Sequence, residues 1–144
     1  MNFDTGEYFL KPGIHKMTWK EFYELFSFSD RRKELLEGLK QVLDILKRIG
    51  ATNVYIDGSF VTREDFPGDW DACFDAPDFV LEKIRENYPF LMPDKEKTTK
   101  KLYKGELFFA FSKPIKSRNI NFLDFFQQRK DNPKKKKGIV ELII

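Results

Sequence analysis

Leucine, valine and isoleucine side chains at 35, 36, 39, 42, 43, 46 and 49 recur at intervals of one and three residues. That period places them on one stripe of a helix, and Gly50 supplies its stop. Upstream, Thr18-Trp19-Lys20-Glu21 has the form of a capping box and predicts a short helix from about residue 19 to 27. The pattern then changes. Val54-Tyr55-Ile56 is a β-branched and aromatic run that reads as a buried strand ending at Gly58-Ser59. Thr62 to Gly68 carries charges, Pro67 and Gly68 and reads as a loop, after which a second strand is expected from Asp69 to Phe74 or Asp75.

Asp75-Ala76-Pro77-Asp78 is a helix start with proline early in the first turn, and Phe79, Val80, Leu81 and Ile84 give a shorter stripe that ends before Pro89. The aromatic-rich run from Leu102 to Phe111 reads as a third strand. Gly138 to Ile144 reads as a last one, apolar enough to be packed, so that its removal should harm folding. The order helix, strand, strand, helix, strand suits an α/β or α+β fold. It predicts a mixed sheet with helices packed on one face and the face that carries the chemistry left open.

Composition narrows this picture. A chain of 144 residues with 41% hydrophobic content can bury one core. One domain is expected over 1–144, with an N-terminal helical part to about 50 and a sheet region from about 51 onward. The net charge of +3, from 26 basic and 23 acidic residues, is too mild to mark a dedicated nucleic-acid binder. A single cysteine excludes a disulfide framework, and Cys73, with no histidine near it in the chain, reads as a buried structural thiol. His15, the lone histidine, reads as a surface or packing residue outside the sheet. No signal-like or membrane-spanning run occurs, which points to a cytoplasmic protein with no membrane partner.

The candidate chemistry lies around residue 58. Glycine there allows a tight turn and the close approach of an anion, and Ser59 adds a hydroxyl and an N–H. On the second strand, alternation puts Asp69, Asp71, Cys73 and Asp75 on one face and Trp70, Ala72 and Phe74 on the other. The first two aspartates are about 7 Å apart at Cα, close enough for their carboxylates to converge on a hard cation. Such a cation would relieve their repulsion.

The stretch from Gly58-Ser59 to Asp69-Trp70-Asp71 resembles the signature of the nucleotidyltransferase superfamily of DNA polymerase beta type. The longer text resembles a small prokaryotic group within it, on Gly13-Ile14-His15 with Met17-Thr18, Ile56 to Thr62, Asp124-Phe125-Phe126-Gln127 and Lys137 to Val140. The resemblance implies a nucleotidyltransferase-like domain that uses Mg2+ (or Mn2+). It would bind ATP or another nucleoside triphosphate against the Gly-Ser turn and transfer the nucleotide to a hydroxyl of an acceptor RNA or protein. It also implies a minimal catalytic module, of the kind found in toxin–antitoxin or phage-defence systems beside a protein partner encoded nearby. Asp69 and Asp71 would be metal ligands and catalytic, one of them helping to deprotonate the acceptor.

A third carboxylate belongs to that pattern. Glu106, the lone acid in an aromatic-rich run, is the first candidate, and Asp124, whose neighbours could equally form a helix that it caps, is the alternative. Arg63, in the loop after Ser59, is a candidate for phosphate charge. Lys97 to Lys101 reads as a solvated connector and Lys134 to Lys137 as a charged turn; neither has the interleaved aromatics of a stacking surface. A second class of function fits the same residues: a catalytically inactive protein of this fold, acting as an antitoxin-like or RNA-binding partner.

Overall fold

The computed structural model describes residues 8–92, 96–110, 120–129, 131–132 and 134–144. In chain order the elements are β1 (Gly13–Thr18), α1 (Trp19–Phe26), α2 (Asp30–Ile49), β2 (Asn53–Asp57), β3 (Trp70–Phe74), α3 (Asp78–Asn87), α4 (Glu96–Tyr103), β4 (Gly105–Phe109), α5 (Phe122–Phe125) and β5 (Gly138–Ile143). The five strands form one mixed sheet in the order β1-β5-β2-β3-β4. The β1/β5 and β3/β4 pairs are parallel, and β2 runs antiparallel to both β5 and β3.

Thr18 caps α1 through the capping box with Glu21. Ser29 caps α2 by accepting from the Arg32 N–H, and Gly50 ends it. The leucine stripe is buried and meets Val54, Ile56, Ala72, Phe74, Leu107, Val140 and Leu142 from one sheet face. Each such leucine, valine, isoleucine or phenylalanine contributes about 1.5–3 kcal/mol when taken out of water. The apolar β5 is an interior strand, consistent with its composition.

Four expectations are corrected. The first is β1: only Met17 of its six residues is buried, so no alternation announces it, and it forms because β5 offers a parallel edge. The N-terminal part therefore contributes to the sheet, and His15 lies within it, with Nε2 2.7 Å from the Lys11 carbonyl oxygen. Secondly, Lys97 to Lys101 is helical. Leu102 and Tyr103 close α4, Lys104 breaks the chain with φ +67, and only then does β4 begin; Phe111 lies outside the described residues.

Thirdly, Asp69 precedes β3 and Asp75 follows it, so the strand proper is Trp70–Phe74. Fourthly, the second sheet face is not open throughout. Tyr55, Cys73, Ala110 and Ile139 form a small buried cluster there, with Phe108 and Leu123 of α5 packed on it.

Trp70 sets the β3–β4 register. Its buried ring occupies the space where a side chain at residue 105 would project, so β4 must present Gly105 at that point. The indole N–H donates to the Tyr103 carbonyl at 2.8 Å. Among the described residues, no helix is long and apolar enough to cross a membrane.

Candidate functional site

At the end of β2 the chain turns at Gly58 with φ +74. A Cβ there would also run into the Asp71 carboxylate, so both backbone and space demand glycine. The close approach follows from the β2–β3 register, which sets Asp57 opposite Asp71. Gly58–Val61 makes one 3-10 turn, and Thr62 staples it: its N–H and its hydroxyl both donate to the Ser59 carbonyl, at 3.2 and 2.5 Å.

Arg32 of α2 holds this turn from behind. It is fully buried, and its guanidinium donates to the carbonyls of Glu64 (2.8 Å), Phe60 (2.6 Å) and Thr62 (2.7 Å). The Phe60 ring lies 4.8 Å from it. Burial lowers its pKa to about 10, which still leaves it charged at neutral pH. Arg32 was not foreseen; the signal was its position three and four residues before Leu35 and Leu36, on the buried stripe.

Asp71 stands beside Glu106 in the parallel β3–β4 register. Asp69 sits just before the strand, and Lys100 of α4 joins the group, with Nζ 3.0 Å from Asp69 Oδ2 and 3.7 Å from Glu106 Oε1. The hydrogen bond to Asp69 and the charges of Asp69 and Glu106 raise the Lys100 pKa. Beneath them Asp57 is fully buried, and among the described residues neither carboxylate oxygen has a hydrogen-bond partner. Burial and the Asp71 charge push its pKa well above the carboxylate range, with Lys137 opposing. The Cys73 thiol lies beside Asp57 and interacts with it electrostatically. Burial pushes the thiol pKa far up, so it is inert as a nucleophile.

A cavity of about 600 Å³ opens on this corner. Gly58, Ser59, Asp69 and Asp71 line it, together with two aromatic pairs, Tyr8-Phe9 and Phe125-Phe126, and the basic residues Arg129 and Lys137. Lys137 is 7% exposed, so the lysine run is a solvated turn only over its first three members. Arg129 lies 4.5 Å from the Phe9 ring and donates to both Asp131 carboxylate oxygens, at 3.0 and 2.7 Å.

The structure thus brings Gly58, Ser59, Asp69 and Asp71 onto one wall, with Glu106 adjacent to Asp71 but outside the lining. Arg63 is exposed and outside the lining, its N–H donating to the Tyr8 carbonyl at 3.0 Å. Asp124 is exposed in the first turn of α5 and does not cap it; Asn121 Oδ1 does, accepting from the Asp124 N–H at 2.9 Å. Asp57, Lys137, Arg129 and the aromatic pairs escaped the sequence reading. Asp57 alone carried a signal, immediately before Gly58 on the parity of the aspartate face.

Asp69, Asp71 and Glu106 are hard oxygen donors of the kind magnesium takes, and the buried Asp57 without a partner sits where a nearby cation would lower the electrostatic cost. Among the described residues, however, no group of three or more histidine, cysteine, aspartate or glutamate side chains is placed to hold a metal ion. The position between Asp69 and Glu106 is filled by the Lys100 ammonium.

A family model matches residues 1–143 of the chain, that of a family of unknown function (DUF6932). The chain belongs to this family. No curated protein and no solved structure matches it.

Proposed function

We propose that this cavity is a nucleotide site and that the chain is a metal-dependent nucleotidyltransferase, moving a nucleoside monophosphate from a triphosphate such as ATP to a hydroxyl of RNA or protein. The observation that carries the reading is that the Gly58-Ser59 turn, Asp69 and Asp71 open on one cavity that also contains Lys137 and the Arg129–Asp131 ion pair. The turn presents N–H groups and a hydroxyl to phosphate oxygens, and the buried Lys137 adds positive charge in a partly desolvated place where it counts most. Asp69 and Asp71, with Glu106 as the third, are the residues that would hold magnesium or manganese, which would stabilise charge developing on the transferred phosphoryl group. In this reading the protein would work in the cytoplasm of a prokaryote, and the resemblance in the sequence supports a toxin–antitoxin or phage-defence setting with an acceptor or partner encoded nearby.

Calorimetry with Mn2+ and a non-hydrolysable triphosphate tests this, beside transfer from α-labelled triphosphate. Binding should need the metal and disappear in the Asp69→Asn, Asp71→Asn double variant. Metal-independent binding that ignores those substitutions would sink the transferase reading. One observation favours the second class of function: Lys100 already supplies a cation to Asp69 and Glu106. In a catalytically inactive antitoxin-like or RNA-binding protein that ion pair would be permanent, and RNA affinity would fall steeply with salt while ignoring the aspartate substitutions.

A further inference from the structure

The cavity changes character along the sheet. Asp71 and Glu106 are paired in register, and the next same-face pair along β3 and β4 is Cys73 with Phe108. One such step is about 7 Å. Phe108 begins an aromatic wall. Its ring centroid lies 4.8 Å from Phe122 and 5.4 Å from Phe126, the last two rings are 5.7 Å apart, and Phe125 meets Phe126 edge-on at 5.5 Å.

Phe125 and Phe126 reach the cavity and are only half-buried. Phe9, bridged to Thr62 beside the turn, lies 4.5 Å from the Arg129 guanidinium, itself fixed by Asp131. Gln128 also lines the cavity and is the uncharged amide near the aromatic end. Asp69, Asp71 and the anion-receptive turn therefore occupy one end with Phe9 beside them, Lys137 and the Arg129–Asp131 pair lie in the same cavity, and the α5 rings, packed on Phe108 one strand step along, stand away from the carboxylates with an amide near them in the chain. This ordering matches a nucleoside triphosphate read from its phosphates to its base.

We propose that the α5 aromatics form the nucleobase subsite for the donor triphosphate, with the base stacked on Phe126 and Phe125 and a purine favoured over a pyrimidine. Resting on the nucleotide reading of the site, this adds to it the residues that select the base. A stack on aromatic faces tolerates any base but rewards ring area, so purines bind more tightly. The Gln128 amide can pair with a base edge through its donor and acceptor. Phe126 is held in place by Phe108 and Phe122, which lowers the entropy lost when a base settles on it.

The test is calorimetry on the full chain with Mg2+ and four probes: non-hydrolysable ATP and CTP analogues, inorganic tripolyphosphate, and a short oligoribonucleotide. Phe126→Leu keeps apolar volume but removes the ring face, and Phe126→Trp restores it. The expected result is that the wild type prefers the ATP analogue to the CTP analogue. Phe126→Leu should lose about tenfold in ATP-analogue affinity, tripolyphosphate affinity should be unchanged, and Phe126→Trp should recover the loss. The unchanged tripolyphosphate affinity also shows that the variant is folded at the turn.

Equal ATP-analogue affinity in wild type and Phe126→Leu overturns the subsite while leaving the phosphate end intact. A loss confined to the oligoribonucleotide also overturns it, by assigning the rings to the acceptor. If neither the triphosphate analogues nor tripolyphosphate bind the wild type, the nucleotide reading fails and the subsite falls with it.

Discussion

The Lys100 ammonium lies 3.0 Å from the Asp69 carboxylate, in the space where a divalent ion shared with Glu106 would sit. On the proposed reading, that ion and the lysine would compete for the same oxygens. Replacing Lys100 with methionine is expected to raise Mn2+ affinity about two- to fivefold. The gain is modest because the lysine is largely exposed and its ion pairs are screened by water. Titration of Mn2+ followed by electron paramagnetic resonance measures it, and equal affinities in the two proteins would show that Lys100 does not compete.

Asp71 has Glu106 as its strand neighbour, whereas Asp124 is exposed at the start of α5. Glu106→Gln should therefore weaken Mn2+ binding about tenfold, and Asp124→Asn should leave it unchanged. The reverse ranking would assign the third carboxylate to Asp124.

Gly58→Ala meets two obstacles, a backbone φ of +74 and the Asp71 carboxylate. The strained backbone alone costs about 1–2 kcal/mol, visible as a lower urea midpoint. If the collision matters as well, combining it with Asp71→Ala should restore part of the loss, so that the two changes are non-additive. Strict additivity would show that Asp71 moves aside freely.

Arg32 donates to three loop carbonyls from a buried position. Lysine keeps the charge but not the planar fork, leaving carbonyls without donors, so Arg32→Lys should destabilise the protein by about 2–4 kcal/mol. It should also weaken phosphate binding, since the Gly58–Val61 turn loses its support. A variant as stable as wild type would show that water replaces the clamp.

Asp57 is buried with its pKa raised well above the ordinary value of 3.8. Between that value and the raised one the folded state holds a proton that the unfolded state has released, so stability falls as pH rises through this window. Below 3.8 both states are protonated and the penalty is absent. Asp57→Asn is expected to flatten the dependence and to stabilise the protein at neutral pH. Chemical denaturation from pH 3 upward checks it, and an unchanged slope in the variant would place its origin elsewhere.

The fold is most legible in the residues where local period and caps suffice. The α2 stripe, the Thr18–Glu21 box and the β2 strand fall where their residues indicated, whereas α3 starts at Asp78, with Pro77 as its N-cap and not within its first turn. The pairing of Asp69 and Asp71 with Gly58-Ser59 in one cavity was also legible, because a hairpin with a glycine turn leaves few other arrangements. β1 was not, since an exposed edge strand with one buried residue has no alternation to read. Lys100 escaped because its role depends on α4 lying against β4, a contact that its lysine-rich neighbours do not signal.

Composition and short-range pattern were thus enough to specify a helix-covered mixed sheet and a corner where a tight turn meets two aspartates. They act through contacts between residues near in sequence, where spacing alone says which side chains share a face. Long-range packing specified the rest: the burial of Asp57 and Lys137, the clamp of Arg32, the lysine between Asp69 and Glu106, and the aromatic wall from Phe108 to Phe126. Each of these depends on which segments pair across the sheet and how deeply a charge is removed from water, and neither is carried by the spacing of residues along the chain.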